Sequence, residues 1–395
     1  MTKFEIVPLP KEKWAGTIIP MGYTTSTYFD IDIKNNTKGI DIKLEEKIAE
    51  KPITHYPEEY DFPDKLYQEH WEKAYAWGVL DDKENMIACI ETCPEEWSNR
   101  LMVTELWVHE NFRRKGIAHE LMAVVKEQAR LERRRAIILE TQSCNTGAIA
   151  FYKKEGFELI GFDTCCYSNN DRERREVRLD MGILMNKKAK ISREDIEIRK
   201  ETEADYYETE AMTMRAFWNK YHIGCDEHYL VHKLRAANCY LPELSRIAVK
   251  DGKIIGGIFY SKAWLKKDGE VKEILTFGPL CVEPDFQGTG VGGLLLEETL
   301  KLAKAKGYDG VIITGEPDYY PLHGFVTCDN FGITTADGKN FDAFMGYELV
   351  LGALKTFGGS FHESDVFFHL PKEEVEQYTM KFPTMKKQSF PMQWD

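Results

Sequence analysis

Two short glycine-bearing runs carry the clearest chemistry in this chain. One reads Arg113-Arg114-Lys115-Gly116-Ile117-Ala118, the other Gln287-Gly288-Thr289-Gly290-Val291-Gly292. Each follows a β-prone run ending in valine, Val108 or Val282, and each opens a segment of helical period. The first turn of a helix leaves backbone N–H groups unbonded, and the macrodipole adds partial positive charge there. An anionic phosphate is the natural ligand of such a place. Glycine or alanine lets the backbone approach it without a Cβ in the way. A single such run is more simply a tight turn. Two runs, in the same strand–loop–helix setting, point to phosphate.

The elements that must position these loops repeat as well. Residues 105–140 and 279–315 share one order: β-prone run, glycine loop, helix, second apolar run. The first helix is periodic through Ile117, Leu121, Val124, Val125 and Leu131, the second through Val291, Leu294, Leu295 and Leu302. Stripes with that spacing face a sheet. Beyond the second run each copy closes with tyrosine and then Gly-Phe: Tyr152 with Gly156-Phe157, Tyr320 with Gly324-Phe325. The copies lie about 170 residues apart, the size of a domain, so the chain reads as a tandem duplication. The expected division is a first domain over 1–186, a polar linker over 187–195 and a second domain over 196–395 with a C-terminal extension. Hairpins are expected over 74–92 and 246–260. Residues 4–64 hold several β-prone runs, and 196–245 are helix-rich.

The [RQ]-x-x-G-x-[GA] loop after a valine-ended strand, with the later Tyr and Gly-Phe, resembles the GCN5-related N-acetyltransferases (GNAT). The resemblance covers both units and most of the chain. It implies an α/β (α+β) class with two domains. Each is a mixed, mostly antiparallel twisted sheet flanked by helices and splayed at an acyl-CoA cleft. It implies acetyl-CoA as cofactor, its pyrophosphate held by the loop amides and its pantetheine lying where the strand splays from its neighbour. The cofactor segments are then Trp107 and Val108 with Arg113, Arg114, Lys115, Gly116, Ile117 and Ala118. In the second half they are Val282 with Gln287, Gly288, Thr289, Gly290, Val291 and Gly292. Residues 139–169 resemble the streptothricin acetyltransferase branch, which acetylates an amine of that antibiotic. The second half resembles a different, uncharacterised branch.

Acetyl transfer to an amine needs a proton removed from the ammonium and a proton supplied to the departing sulfur. The resemblance implies Glu105 as base, Tyr152 as acid and Asn145 as a pantetheine contact. Each also has a plainer reading: a solvated strand carboxylate, a core aromatic beside Phe157, and a helix cap. In the second half Tyr320 keeps the acid position, but Pro279 stands where Glu105 stands in the first. Glu316, Asp318 and His323 lie near that expected site. Gly288 replaces Arg114.

Composition narrows the rest. With 52 Lys+Arg against 65 Asp+Glu the net charge is −13, which argues against nucleic acid as the main partner. At 43% hydrophobic and 12% aromatic the chain can build real cores. No run approaches the ~18–20 apolar residues of a membrane span. The N-terminus lacks the features of a signal peptide, and nine cysteines without a CxxC pair fit reduced thiols in the cytoplasm. His228 and His232 near Cys225 lack the glutamate of a zinc motif, so no metal is expected. The arginines at 130 and 133–135 read as a solvated helix end. The acidic run over 41–64 reads as surface, with a polycationic amine as its alternative partner. The expected activity is acetyl transfer from acetyl-CoA to a primary amine of a small molecule, a lysine-like, polyamine-like or streptothricin-type group. The alternatives are a module that binds acyl-CoA or sequesters an amine without turnover, and protein-lysine acetylation.

Overall fold

The computed structural model describes residues 4–56, 63–185 and 189–393. Asn186, Lys187 and Lys188 of the expected joint, and Glu58, Glu59 and Asp61 of the acidic run, lie outside the described residues. The chain divides into two compact units, Met1–Lys187 with Ser389–Met392, and Lys188–Gln388 with Gln393–Asp395.

The first unit runs β1 (Val7–Pro8), α1 (Lys11–Trp14), β2 (Tyr23–Asn36), β3 (Gly39–His55), β4 (Tyr75–Leu80), β5 (Met86–Glu95), β6 (Arg100–Val108), α2 (Ile117–Leu131), β7 (Ala136–Gln142), α3 (Thr146–Lys154), β8 (Glu158–Asp163), α4 (Asp171–Arg174) and β9 (Arg178–Leu184). Seven strands form one sheet in the order β1-β4-β5-β6-β7-β9-β8. Only β6 and β7 run parallel. A parallel neighbour requires a crossover, and α2 supplies it. Of the stripe expected from the sequence, Ile117, Leu121, Val124 and Val125 are buried, joined by Met122, while Leu131 at the helix end is half-buried. It packs in one core with Trp77, Leu101, Val103, Ile137, Leu139 and Phe157. β2 and β3 stand apart as a two-stranded arm with thirteen paired positions and one irregularity after Thr25.

The C-terminal residues Ser389–Met392 belong to this unit. Trp77 Nε1 donates to the Ser389 carbonyl at 2.9 Å, and the Phe390 ring meets Trp77 edge-on at 5.9 Å. Phe390 is 3% exposed, so truncating it removes both its transfer energy and its packing partners. Phe390→Ala is expected to cost about 3 kcal/mol. The check is a lower denaturant midpoint at unchanged m-value.

The second unit runs β10 (Glu197–Arg199), α5 (Tyr206–Phe217), α6 (Glu227–Arg235), β11 (Arg246–Lys250), β12 (Lys253–Lys267), β13 (Glu270–Val282), α7 (Val291–Ala305), β14 (Gly310–Thr314), β15 (Val326–Thr327), β16 (Ile333–Thr335), β17 (Phe344–Glu348), α8 (Ala353–Phe357), β18 (Gly359–His362) and α9 (Lys372–Thr379). Its main sheet is ordered β10-β11-β12-β13-β14-β17-β15. Here β13 and β14 are parallel with α7 between them, and the short β16 and β18 are parallel too. β16 pairs β18, which also joins β12. The core gathers Tyr260, Leu275, Leu295, Leu296, Val311, Ile313, Phe325 and Met345. The two units therefore share one design, although α5 and α6 of the second stand where the first has its extended N-terminal segments.

Candidate active site

Each parallel pair stays together for only part of its length. β6 pairs β7 from Arg100↔Ala136 to Val103↔Leu139. Beyond that, β6 runs on to Val108 and β7 to Gln142 without pairing each other. In the second unit β13 meets β14 at one position, Leu275↔Val311, and runs on unpaired on that side to Val282. A register shift in the antiparallel neighbour accompanies the divergence in both: between Glu91 and Thr92, and between Ile258 and Tyr260. A bulge of this kind bends a strand away from its partner.

The loops after the two strands fold alike. A short 3₁₀ turn comes first, Glu110–Phe112 or Pro284–Phe286. Arg113 Nε then donates back to the Val108 carbonyl at 3.0 Å, and Gln287 Nε2 to the Val282 carbonyl at 3.0 Å. Both residues have φ near −62°. Two left-handed residues follow in alternation, Arg114 (φ 61°) and Gly116 (87°), or Gly288 (80°) and Gly290 (97°). Gly116 and Gly290 cap α2 and α7, and the first helix-closing bonds are Glu120 N to the Gly116 carbonyl and Leu294 N to the Gly290 carbonyl. The N–H groups in between have no partner within their helices. A Cβ added at Gly116, Gly288 or Gly290 would meet nothing within 4 Å. The cradle is open toward solvent on that side, and the residues present fit an anionic diphosphate. Thr289 differs from Lys115: its hydroxyl donates to the Phe286 carbonyl at 2.6 Å, and its own carbonyl accepts from Ile191 N. Lys115 instead lies over the Phe112 ring at 4.8 Å.

Glu105 and Trp107 are two residues apart on β6 and share one face. Both are buried, at 6% and 7% exposed. Burial pushes the Glu105 carboxyl well above the usual range, and the charges of Asp64, Glu91 and Glu140 add to the effect; a hydrogen bond from Gln68 opposes it. Glu91, directly opposite on β5, is fully buried but accepts Tyr67 N at 2.6 Å and the Thr104 hydroxyl at 2.7 Å. It therefore braces the segment that carries Gln68. Tyr152, on α3, is 9% exposed and packs beside Phe157 with ring centroids 5.9 Å apart. Its hydroxyl is pushed upward by burial and then by the Glu105 charge, which places the two groups within electrostatic reach across the splay. Asn145 caps α3, its side chain accepting Ala148 N at 3.3 Å.

The second unit carries a different set. Tyr320 starts a 3₁₀ turn, Tyr320–His323, where the first unit has the nine-residue α3, so Asn145 has no counterpart on that turn. Its ring still packs beside the Gly-Phe phenylalanine, Phe325, at 5.5 Å, and burial raises its hydroxyl. A Cβ on Gly315 would strike the Tyr320 ring at 2.3 Å, so glycine there seats it. Pro279 offers no proton acceptor in its side chain. Glu316 accepts the Tyr221 hydroxyl and pairs with Lys220, both at 2.8 Å. His323 lies against Gly293, and the Tyr319 hydroxyl against Gly292, on the first turn of α7. Burial lowers the His323 pKa. Asp318 is exposed.

Other expected features separate from these sites. His228 sits between Cys225 Sγ (3.5 Å) and Thr379 Oγ1 (3.0 Å), while His232 faces Glu210. Arg130 pairs with Glu127, and Arg134 with Glu96 and Glu132, at the opposite end of α2 from Gly116. Sequence reasoning missed Asp64 and Gln68 beside Glu105, and the arm residues Tyr23 and His55 discussed below. The Asn36-Thr37-Lys38-Gly39 run between two alternating stretches was the available signal for the arm.

Each unit opens its sheet at the parallel pair that a helix crosses, and sets a glycine-lined helix mouth at the opening, a layout suited to a phosphorylated carrier. The family model of the Acetyltransferase (GNAT) family matches residues 45–157 and 198–327, more than half the chain and once in each unit, and the chain belongs to this family. Among curated relatives, an uncharacterized N-acetyltransferase, YjhQ, of Escherichia coli K12 is 36% identical over 22% of this chain and 48% of its own length. The chain thus spans about half the length of that relative. Streptothricin acetyltransferase A of Bacillus subtilis 168 is 29% identical over 33% of this chain and 73% of its own. Among solved structures, a GNAT family N-acetyltransferase (YhbS) from Escherichia coli in complex with CoA aligns with 45% of this chain and 94% of its own, at 25% identity and a TM-score of 0.40. No helix among the described residues is long and apolar enough to cross a membrane.

Proposed function

We propose that the first unit transfers an acetyl group from acetyl-CoA to a primary amine of a small molecule, with a streptothricin-type antibiotic as the leading acceptor. The supporting observation is the convergence, at one splayed strand end, of an open glycine cradle, a buried carboxyl and a buried phenol. The two streptothricin acetyltransferase relatives support the acceptor class. The two units are then the domains expected over 1–186 and 196–395, joined by 187–195, except that Ser389–Met392 return to the first.

Acetyl-CoA, when bound, supplies an activated thioester carbonyl. The N–H groups from Arg114 to Ala118, with Gly116 at their centre, hold its diphosphate. Val108 and Trp107 on β6, with Asn145 at the head of α3, line the pantetheine path. Glu105 accepts the proton of the incoming ammonium. Its raised pKa narrows the gap to an amine near ~10 and makes that transfer less uphill. Tyr152, held protonated by burial, gives a proton to the leaving sulfur. Side-by-side placement in the cleft supplies further rate. The second unit holds the same carrier through Val282, Gln287, Gly288, Thr289, Gly290, Val291 and Gly292, with Tyr320 at the acid position. Pro279 favours a second reading for this unit, an acyl-CoA-binding module without turnover.

The test is free-thiol release from acetyl-CoA with a panel of streptothricin, spermidine and L-lysine. Amine-dependent release is expected. Release no faster than hydrolysis with every amine would sink the enzyme reading.

A further inference from the structure

We infer that the β2–β3 arm forms the acceptor wall of the first unit, and that the cleft between its base and the end of β6 takes the ammonium end of an organic amine. This rests on the acyl-transfer reading of that unit and names how its acceptor is held.

The arm is tied to the β7 side of the splay. The Tyr23 hydroxyl donates to Gln142 at the end of β7 and lies 3.3 Å from Cys144 Sγ. His55 Nε2 lies 3.4 Å from the same sulfur, and the Tyr23 and His55 rings are 5.0 Å apart. Thr25 and Thr27 both contact the Thr146 hydroxyl, at 2.9 and 3.0 Å, and Phe29 N donates to the Ser143 carbonyl. The opposite wall is β6. Trp107 closes it, and Arg113 reaches the Gly22 carbonyl at 3.5 Å. Between the walls is a cleft of about 460 Å³ lined by Tyr23, His55, Tyr56, Trp107 and His109, with Glu110 and Arg113 as its charged groups. That volume suits a small molecule and not a folded surface.

Three features select an ammonium. Ring faces attract a cation through their quadrupole. The acidic chain favours a cationic visitor. Glu105 does not line the cleft, but it lies two residues from Trp107 on the same face of β6, so an amine at the Trp107 end enters on the side of the strand that carries the carboxyl. Among its described residues the second unit has no separate two-stranded sheet of this kind. Its β10 leads into α5 and α6, so its cleft is walled differently.

The test uses the full chain with streptothricin, spermidine and L-lysine as probes. Tyr56→Ala and Tyr23→Ser are expected to raise the KM of the best amine about tenfold, and Tyr23→Phe, which keeps the ring, by less than threefold. The acetyl-CoA Kd, by calorimetry, should stay within twofold in all three. Tyr56 is 62% exposed, so its variant is not a folding test. An unchanged amine KM in both the alanine and serine variants overturns this inference while the transfer reading stands. An acetyl-CoA Kd that moves as far as the amine KM also overturns it, since the cleft then belongs to the cofactor. A wild-type chain that neither acetylates nor, by equilibrium dialysis, binds any of the three amines overturns both readings.

Discussion

Replacing Glu105 by Gln is expected to lower kcat/KM for the amine by about 10²–10⁴-fold, the range that a positioned general base contributes. The substitution preserves shape and the Gln68 contact but removes the proton acceptor. Acetyl-CoA binding should not change, because Glu105 stands on β6 and the anion cradle begins beyond Val108. The pH profile carries a second signature. Burial, with Asp64 and Glu91 nearby, raises the Glu105 pKa above the ordinary carboxylate range. The acidic limb of wild-type kcat/KM should therefore fall at a pH above that range, and the limb should vanish in the variant. Stability gives an independent sign. A carboxyl with a raised folded pKa binds its proton more tightly folded than unfolded. Stability is then lost as pH climbs from the unfolded pKa through the folded one. Above that window the wild type keeps a buried charge that Glu105→Gln does not. The variant should be at least as stable as the wild type at pH 8, by denaturant midpoint. Lost activity with gained stability separates a working base from a packing residue, since a packing role predicts loss of both.

Much of this arrangement was legible before any coordinates. The glycine loops were readable because a positive φ leaves few residue choices, so Gly116, Gly288 and Gly290 announce themselves. Arg114 did not, since an arginine at φ 61° carries no such mark. The helical period repeats over four turns, so the stripe of α2 was largely readable; in α7 Val291 and Leu295 are buried as expected, but Leu294 and Leu302 are half-buried and Leu296 and Leu300 fill the core instead. The divergence of β6 from β7 was expected from family resemblance alone, and no local pattern encodes it: unpaired strand ends look like paired ones. Asp64 and Gln68 come to Glu105 through a long chain excursion, and proximity of that kind leaves no trace in spacing. Tyr320 shows the reverse limit. It shares the Tyr…Gly-Phe pattern with Tyr152, yet it begins a 3₁₀ turn, because the shorter connection after Gly315 leaves no room for a nine-residue helix. The arm was hidden for a physical reason too. Strands 14 and 17 residues long with mixed charge alternate too imperfectly to fix their ends, and the contacts of Tyr23 and Thr25 with Gln142, Cys144 and Thr146 that anchor the base of the arm are remote in sequence.

Gly116→Val separates the two units most sharply. At φ 87° a β-branched residue is strained by about 1–2 kcal/mol, which falls on folding. The added carbons meet nothing in the protein within 4 Å, so no internal clash follows. They point instead into the mouth where an anion must approach the N–H groups of α2. Binding then loses both contact and backbone conformation. An acetyl-CoA Kd raised about 30-fold at the first site is expected, near 2 kcal/mol. Amine-dependent thiol release should fall with it at subsaturating acetyl-CoA. Gly290→Val applies the same change to the second unit, where φ is 97° and the space is equally open. It should weaken the second calorimetric site and leave thiol release nearly intact, because Pro279 gives that unit no strand carboxylate. Gly288→Arg is the control: Arg114 holds the corresponding left-handed position in the first loop, so the loop backbone tolerates the side chain and binding should change less than threefold. If Gly116→Val left the first site at wild-type affinity, the helix mouth would not be where the diphosphate sits. If Gly290→Val abolished thiol release instead, catalysis would belong to the second unit and the assignment of Glu105 would fall.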